Sequence, residues 1–220
     1  MKKTTSNVTE LVFVLDRSGS MESLTSETIG GFNSLIEKQK KDDAGDEVYV
    51  TTVLFDDQYE ILHDHISISE VNRMTDHEYY ARGCTALLDA VGQTIKTIDK
   101  RIESDETKVL FVITTDGYEN ASREYTKAKI KKMISKRQDK NNWKFLFLGA
   151  NIDAVSEADS IGIRPTGACQ PSASVAGVRS SFDAINGITQ FMRKSAAPCA
   201  SAKFAESFEE HCRANFSAIE

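Results

Sequence analysis

Proline and glycine are sparse: three and twelve among 220 residues, so little of the chain has the composition that keeps a segment disordered. Long hydrophobic runs are missing too. None approaches the ~20 residues needed to cross a bilayer, and Lys2-Lys3 is followed by polar residues and only five apolar ones, too few for a signal-peptide core. The four cysteines, Cys84, Cys169, Cys199 and Cys212, make no C-x-x-C pair and have no histidine at zinc-finger spacing. That usage fits a reduced, cytoplasmic setting. Positive charge is in deficit, with 27 Lys and Arg against 33 Asp and Glu for a formal charge of -6. Affinity for nucleic acid comes mainly from neutralising phosphates, so no nucleic-acid partner is expected. Finally, there is no Walker A sequence, G-x-S-x-G elbow or G-x-G-x-x-G loop, which leaves nucleotide hydrolysis, serine esterase and dinucleotide chemistry without support.

What is present points to a layered α/β protein. LVFVL at 11–15, VLFVI at 109–113 and FLFL at 145–148 are short, wholly apolar runs of the kind that form strands buried on both faces of a parallel sheet. Helical stripes lie between and after them: Ile29, Phe32 and Ile36; Leu88, Val91, Ile95, Ile98 and Ile102; Ile130, Met133 and Ile134; and Val178, Phe182, Ile185, Ile188 and Met192. The stretch 48–68 reads instead as two strands around a turn at Asp56-Asp57-Gln58-Tyr59, which puts one antiparallel strand at the sheet edge. The expected fold class is α/β, a doubly wound, mostly parallel sheet with helices on both faces and one antiparallel edge strand. Residues 8–194 would form the domain, and 195–220 a linker and a last helix with Phe204, Phe208 and Cys212 along one face.

In such a sheet ligands bind outside the carboxyl ends of the strands. LVFVLDRSGSM delivers Asp16, Ser18 and Ser20 to that edge, ITTDGYEN delivers Asp116, and RGCTALLDAV places Thr85 at the start of an amphipathic helix. Two carboxylates and three hydroxyls are hard oxygen donors, which suit Mg²⁺, with Mn²⁺ a workable substitute, whereas Zn²⁺ normally recruits His or Cys. Any one of these residues could equally be a helix cap or a turn residue. Five together at strand ends favour a metal.

Asp16-x-Ser18-x-Ser20, then Thr85, then Asp116-Gly117, on an α/β alternation, resembles the metal-ion-dependent adhesion site of von Willebrand factor A domains. The resemblance spans roughly residues 8–194. It implies a Rossmann-like fold in which Ser18, Ser20 and Thr85 bind the metal directly while Asp16 and Asp116 bind it directly or through water. It also implies a non-enzymatic, intracellular docking module of the stand-alone bacterial or bacteriophage type, whose protein partner supplies an Asp or Glu to the metal.

Two rival functions stay open at this level: a Mg²⁺-dependent phosphoryl hydrolase using Asp16 and Asp116, and a structural domain whose rim is not functional. Asp89 and Glu119 are the spare carboxylates a hydrolase would need as a base; Glu119 is near enough to Asp116 in sequence to reach the rim, but solvated loop or helix side chains are the commoner role for such residues, with Asp89 supporting the loops. His63 and His65 alternate on the edge strand, which would put both imidazoles on one exposed face. Cys84 is expected to pack in a tight loop, and the lysines of 127–140 to form a solvated helix face.

Overall fold

A computed structural model describes residues 8–42, 44–102, 107–197 and 199–219; Lys2 and Lys3, and Pro198 of the expected linker, lie outside them. The apolar run at 11–15 lies in β1 (Val8–Asp16), whose side chains alternate between two cores: Leu11, Phe13 and Leu15 enter one, Val12 and Val14 the other. Both faces of the strand are therefore dry, which is why its pattern shows no polar alternation.

β1 is followed by α1 (Thr25–Lys41), β2 (Glu47–Phe55) and β3 (Tyr59–Ser67). Next come α2 (Leu87–Asp99), β4 (Lys108–Thr115), α3 (Lys127–Lys140), β5 (Lys144–Gly149) and α4 (Ala154–Ser160). The chain ends with β6 (Ala168–Cys169), α5 (Val175–Lys194) and α6 (Ala202–Phe216). The six strands lie in the order β3-β2-β1-β4-β5-β6, all parallel except β3. Phe32, Leu35 and Ile36 of α1 share one core with Phe182, Ile185 and Ile188 of α5. Leu88, Val91 and Ile95 of α2, Ile130 and Ile134 of α3 and Ala158 of α4 share the other. The chain leaves β1 toward β2 and later returns on its other side as β4, so the carboxyl ends of β1 and β4 form the switch point where such sheets open a crevice.

Two elements have no clear sequence signal: β6 is only two residues long and α4 only seven. Conversely, α2 stops at Asp99, so the last residue of its expected stripe, Ile102, packs half-buried beyond the helix end. The face of α6 formed by Phe204, Phe208, Cys212 and Phe216 is buried in the α1–α5 core.

The histidine expectation is corrected. His63 is buried, stacks 6.0 Å from Phe32 and meets Thr52 Oγ1 at 3.0 Å, all on the α1 side. His65 stacks 4.2 Å from Tyr49 and meets the buried Glu10 at 2.7 Å. Glu10 and Tyr49 alternate with the residues of the α1-side core, so His65 lies on the opposite face from His63. The cause is an irregularity in β2–β3 pairing together with a left-handed backbone at His65, φ 52°, which shifts the side-chain phase by one residue.

Lys108, at the start of β4, ends on three main-chain oxygens at the close of α5: Met192 at 3.0 Å, Arg193 at 3.3 Å and Ser195 at 2.7 Å. Helix carbonyls there lack intrahelical partners, and an ammonium satisfies them. Lys108→Met keeps the stem but removes all three donated bonds. Urea unfolding of that variant is expected to show a loss of about 1–3 kcal/mol.

Candidate metal centre

Asp16 ends β1 and is wholly buried. Its Oδ1 accepts the Ser18 N–H at 2.7 Å and its Oδ2 the Thr115 hydroxyl at 2.6 Å, so both oxygens are oriented, one by the turn after β1 and the other by β4. Burial pushes its carboxyl up to about 6, against the opposing pull of those hydrogen bonds. Ser18 and Ser20 follow on a 3-10 turn, with their Oγ atoms 3.2 Å apart, and Ser20 Oγ donates to Asp116 Oδ1 at 2.5 Å. Burial likewise raises the Asp116 carboxyl, though the Ser20 bond opposes it. Thr85 closes the set: a carbon placed on Gly117 would lie 3.5 Å from both Ser20 Oγ and Thr85 Oγ1. All five expected residues thus come together at the switch point, with Ser20 open to solvent.

No lysine or arginine pairs with Asp16 or Asp116 among the described residues. Two buried carboxylates close enough to repel one another, with no cationic side chain beside them, are an arrangement that a bound cation would stabilise. Among the described residues no group of three or more His, Cys, Asp or Glu is arranged around a metal position, so a cation here would depend on the hydroxyls. That donor chemistry fits a hard divalent ion.

The surrounding loops are held by residues that the sequence reading passed over. Arg17 points away from Asp16 and is fully buried; its Nε meets Asp56 Oδ2 at 3.1 Å, its Nη2 Glu60 at 2.7 Å, and its Nη1 the Glu78 carbonyl at 3.1 Å. Arg82 reaches the same Asp56 oxygen at 2.6 Å. Burial acts to raise the Asp56 carboxyl, but bonds from Arg82 and the Gln58 N–H and the two guanidinium charges outweigh it and hold the group below the usual range. Main-chain bonds reinforce the junction: Arg17 N–H to Phe55 O, Arg82 N–H to Arg17 O and Ala86 N–H to Asp56 O. The Tyr79 hydroxyl donates to the Asp16 carbonyl, and Asn120 Oδ1 accepts the Thr85 N–H at 2.9 Å. Gly83 has φ +66°, and a side-chain carbon there would come within 2.4 Å of Asp57 Oδ1, so this turn requires glycine. Arg17 and Thr115 adjoin the motif residues, but nothing in their spacing announces where their side chains go.

Two further expectations change. Glu119 does not serve the rim: its oxygens accept the N–H groups of Leu88, Ala121 and Ser122 and the Ser122 hydroxyl, all at 2.7–2.9 Å, which caps the start of α2. Cys84 is exposed on its loop, while Thr85 beside it is buried. Asp89 does support the loops, by accepting the N–H groups of Arg123, Glu124 and Tyr125.

Neither the family models nor the curated proteins include a match to this chain. Solved structures do resemble it. The von Willebrand factor type A protein from Catenulispora acidiphila is 15% identical with a TM-score of 0.54, over 84% of this chain and 43% of that one. Proximal thread matrix protein 1 from the mussel byssus, in a structure with a zinc-occupied MIDAS motif, is 15% identical with a TM-score of 0.58, over 84% and 46%. BatB from Bacteroides thetaiotaomicron is 14% identical with a TM-score of 0.53, over 84% and 99%. This chain matches less than half the length of the first two proteins. At these identities the likeness is one of fold.

Proposed function

We propose that this chain, which has the von Willebrand factor A fold, is a metal-dependent docking module that takes a carboxylate from a protein partner. The observation carrying this reading is the pair of buried carboxylates, Asp16 and Asp116, without a basic partner and facing the hydroxyls of Ser18, Ser20 and Thr85. Those five residues would hold Mg²⁺, or Mn²⁺ in its place. A cation bound largely by neutral hydroxyls keeps positive charge available for an incoming Asp or Glu. No catalytic role is proposed, since Glu119 and Asp89, the two carboxylates considered as a general base, are saturated by backbone N–H groups. Residues 8–194 are proposed as the docking domain and 195–220 as linker and helix. A cytoplasmic setting suits the four free cysteines. No helix among the described residues is long and apolar enough to cross a membrane.

The test is thermal unfolding in EDTA against Mg²⁺, Mn²⁺ and Zn²⁺. Metal at ten times its Kd is expected to add about 1.4 kcal/mol, a rise in Tm of roughly 3–6 °C for a chain of this size. Asp16→Ala and Ser20→Ala should fold and lose the response; an unchanged response in both would overturn the assignment. Thr85→Asp should keep metal binding but lose the carboxylate, because it supplies an internal anion in competition with the partner's.

A further inference from the structure

The two flanks of the proposed metal centre differ in chemistry. On the β2–β3 side a cleft of about 800 Å³ opens between the hairpin turn, the start of α2 and the loop 120–124. Cys84 and Ala86, the neighbours of Thr85, form part of its wall, and so does Asn120, which holds the Thr85 N–H, so the cleft and the centre are two sides of one loop. The carboxylates of Asp57 and Glu124 line it, exposed, and neither accepts a hydrogen bond or forms an ion pair among the described residues. Arg123 is the only basic residue in the lining, and Asp89 adds a further negative charge. The opposite flank exposes two large hydrophobic side chains beside the polar Asn151 and Asp153. Tyr118, two residues after Asp116, is 54% exposed and lies against the start of α4, where its hydroxyl accepts the Asp153 N–H at 3.4 Å; Val155, on the first turn of α4, is 45% exposed. Strand order explains the separation, since β2 and β3 lie on one side of β1 and β4, and β5 lies on the other.

From this arrangement we infer that the partner is a protein segment in which the docking Asp or Glu has a Lys or Arg on one side and a large apolar residue on the other. The inference rests on the docking reading and extends it to the partner's sequence. The basic residue enters the cleft toward Asp57 and Glu124, where complementary charge steers encounter and sets register. The apolar residue covers Tyr118 and Val155, and an exposed tyrosine beside a polar centre is the kind of side chain on which binding energy concentrates. Because the flanks are unlike, the segment binds in one direction only.

The experiment uses the full chain and an array of short acetylated peptides, each with one fixed aspartate and every other position varied in turn, probed in Mg²⁺ and in EDTA. Three proteins are compared: the unaltered chain, an Asp57→Lys/Glu124→Lys double variant, and Tyr118→Ala. The expected result is Mg²⁺-dependent binding that favours Lys or Arg on one side of the aspartate by roughly two- to fivefold per charge and an apolar residue on the other. The double variant should reverse the charge preference to Asp or Glu at the same positions. Tyr118→Ala should lower binding of the apolar-flanked peptides at least tenfold while leaving the Mg²⁺ response of Tm unchanged. Mg²⁺-dependent binding with a charge preference that is absent, or the same in the double variant, overturns the inference and leaves the docking reading standing. Binding that is absent, or indifferent to EDTA, overturns the docking reading and this inference with it.

Discussion

Arg17→Met is expected to destabilise the protein by about 3 kcal/mol and to blunt its response to Mg²⁺, although none of the five proposed ligands is altered. Removing one partner of a buried ion pair typically costs ~3–5 kcal/mol because the other charge is left without compensation. The low end applies because Arg82 still pairs with Asp56 and because Glu60 is half-exposed and can be solvated. The effect on metal follows from geometry. Arg17 lies between Asp16 and Ser18 in sequence, and its guanidinium ties that turn to the β2–β3 turn and to the loop before Thr85. Freed from that tie, the hydroxyls of Ser18 and Thr85 lose their relative placement, and metal binding must include the cost of ordering them. Urea unfolding measures the first effect and a Mg²⁺ titration of Tm the second. An Arg17→Met/Asp56→Leu double variant should lose less than the sum of the two single changes, since each single change already removes the Arg17–Asp56 bond, which the double variant loses only once. Additive losses would show that the pair is not the coupling element.

Phe204→Ala is expected to cost about 3–5 kcal/mol, the usual range for deleting a buried phenylalanine. For a chain whose whole stability is of order 5–15 kcal/mol, that corresponds to a drop in Tm of roughly 10 °C. Phe204 is fully buried, stacks on Phe191 at 5.8 Å and on Phe208 at 6.1 Å, and lies beneath the Lys144 ammonium at 5.4 Å. Burial of Lys144 depresses its ammonium below the usual lysine range, so the rings also shelter a charge that has few alternatives. Differential scanning calorimetry would show the loss as one shifted transition if α6 unfolds with the sheet. A separate early transition would show that 195–220 melts on its own, as an appendage. The metal response should survive, because α6 packs on the face formed with α1 and α5, away from the loops that carry Asp16 and Asp116.

The parts of this protein that were legible in its sequence are those specified by local pattern. Strands buried on both faces read as unbroken apolar runs, and the stripes of α1, α2, α3 and α5 read as apolar residues three and four apart, because each pattern reports directly which side of an element meets the core. The placement of Asp16, Ser18, Ser20 and Asp116 at the sheet's edge was equally legible, since a residue just past a buried strand can go only there, while Thr85 was placed by its position at the start of an amphipathic helix. Tertiary structure alone decided the rest. A two-residue strand such as β6 is made by its neighbour β5 rather than by its own sequence, and the opposite faces of His63 and His65 depend on an irregularity in pairing that alternation cannot reveal. Arg17, Asp56 and Arg82 are charged residues that composition alone would assign to the surface, and they are joined across 26 and 39 positions of sequence. Their burial becomes favourable only when three loops meet and each charge finds its partner, and that long-range condition is met only in the folded chain.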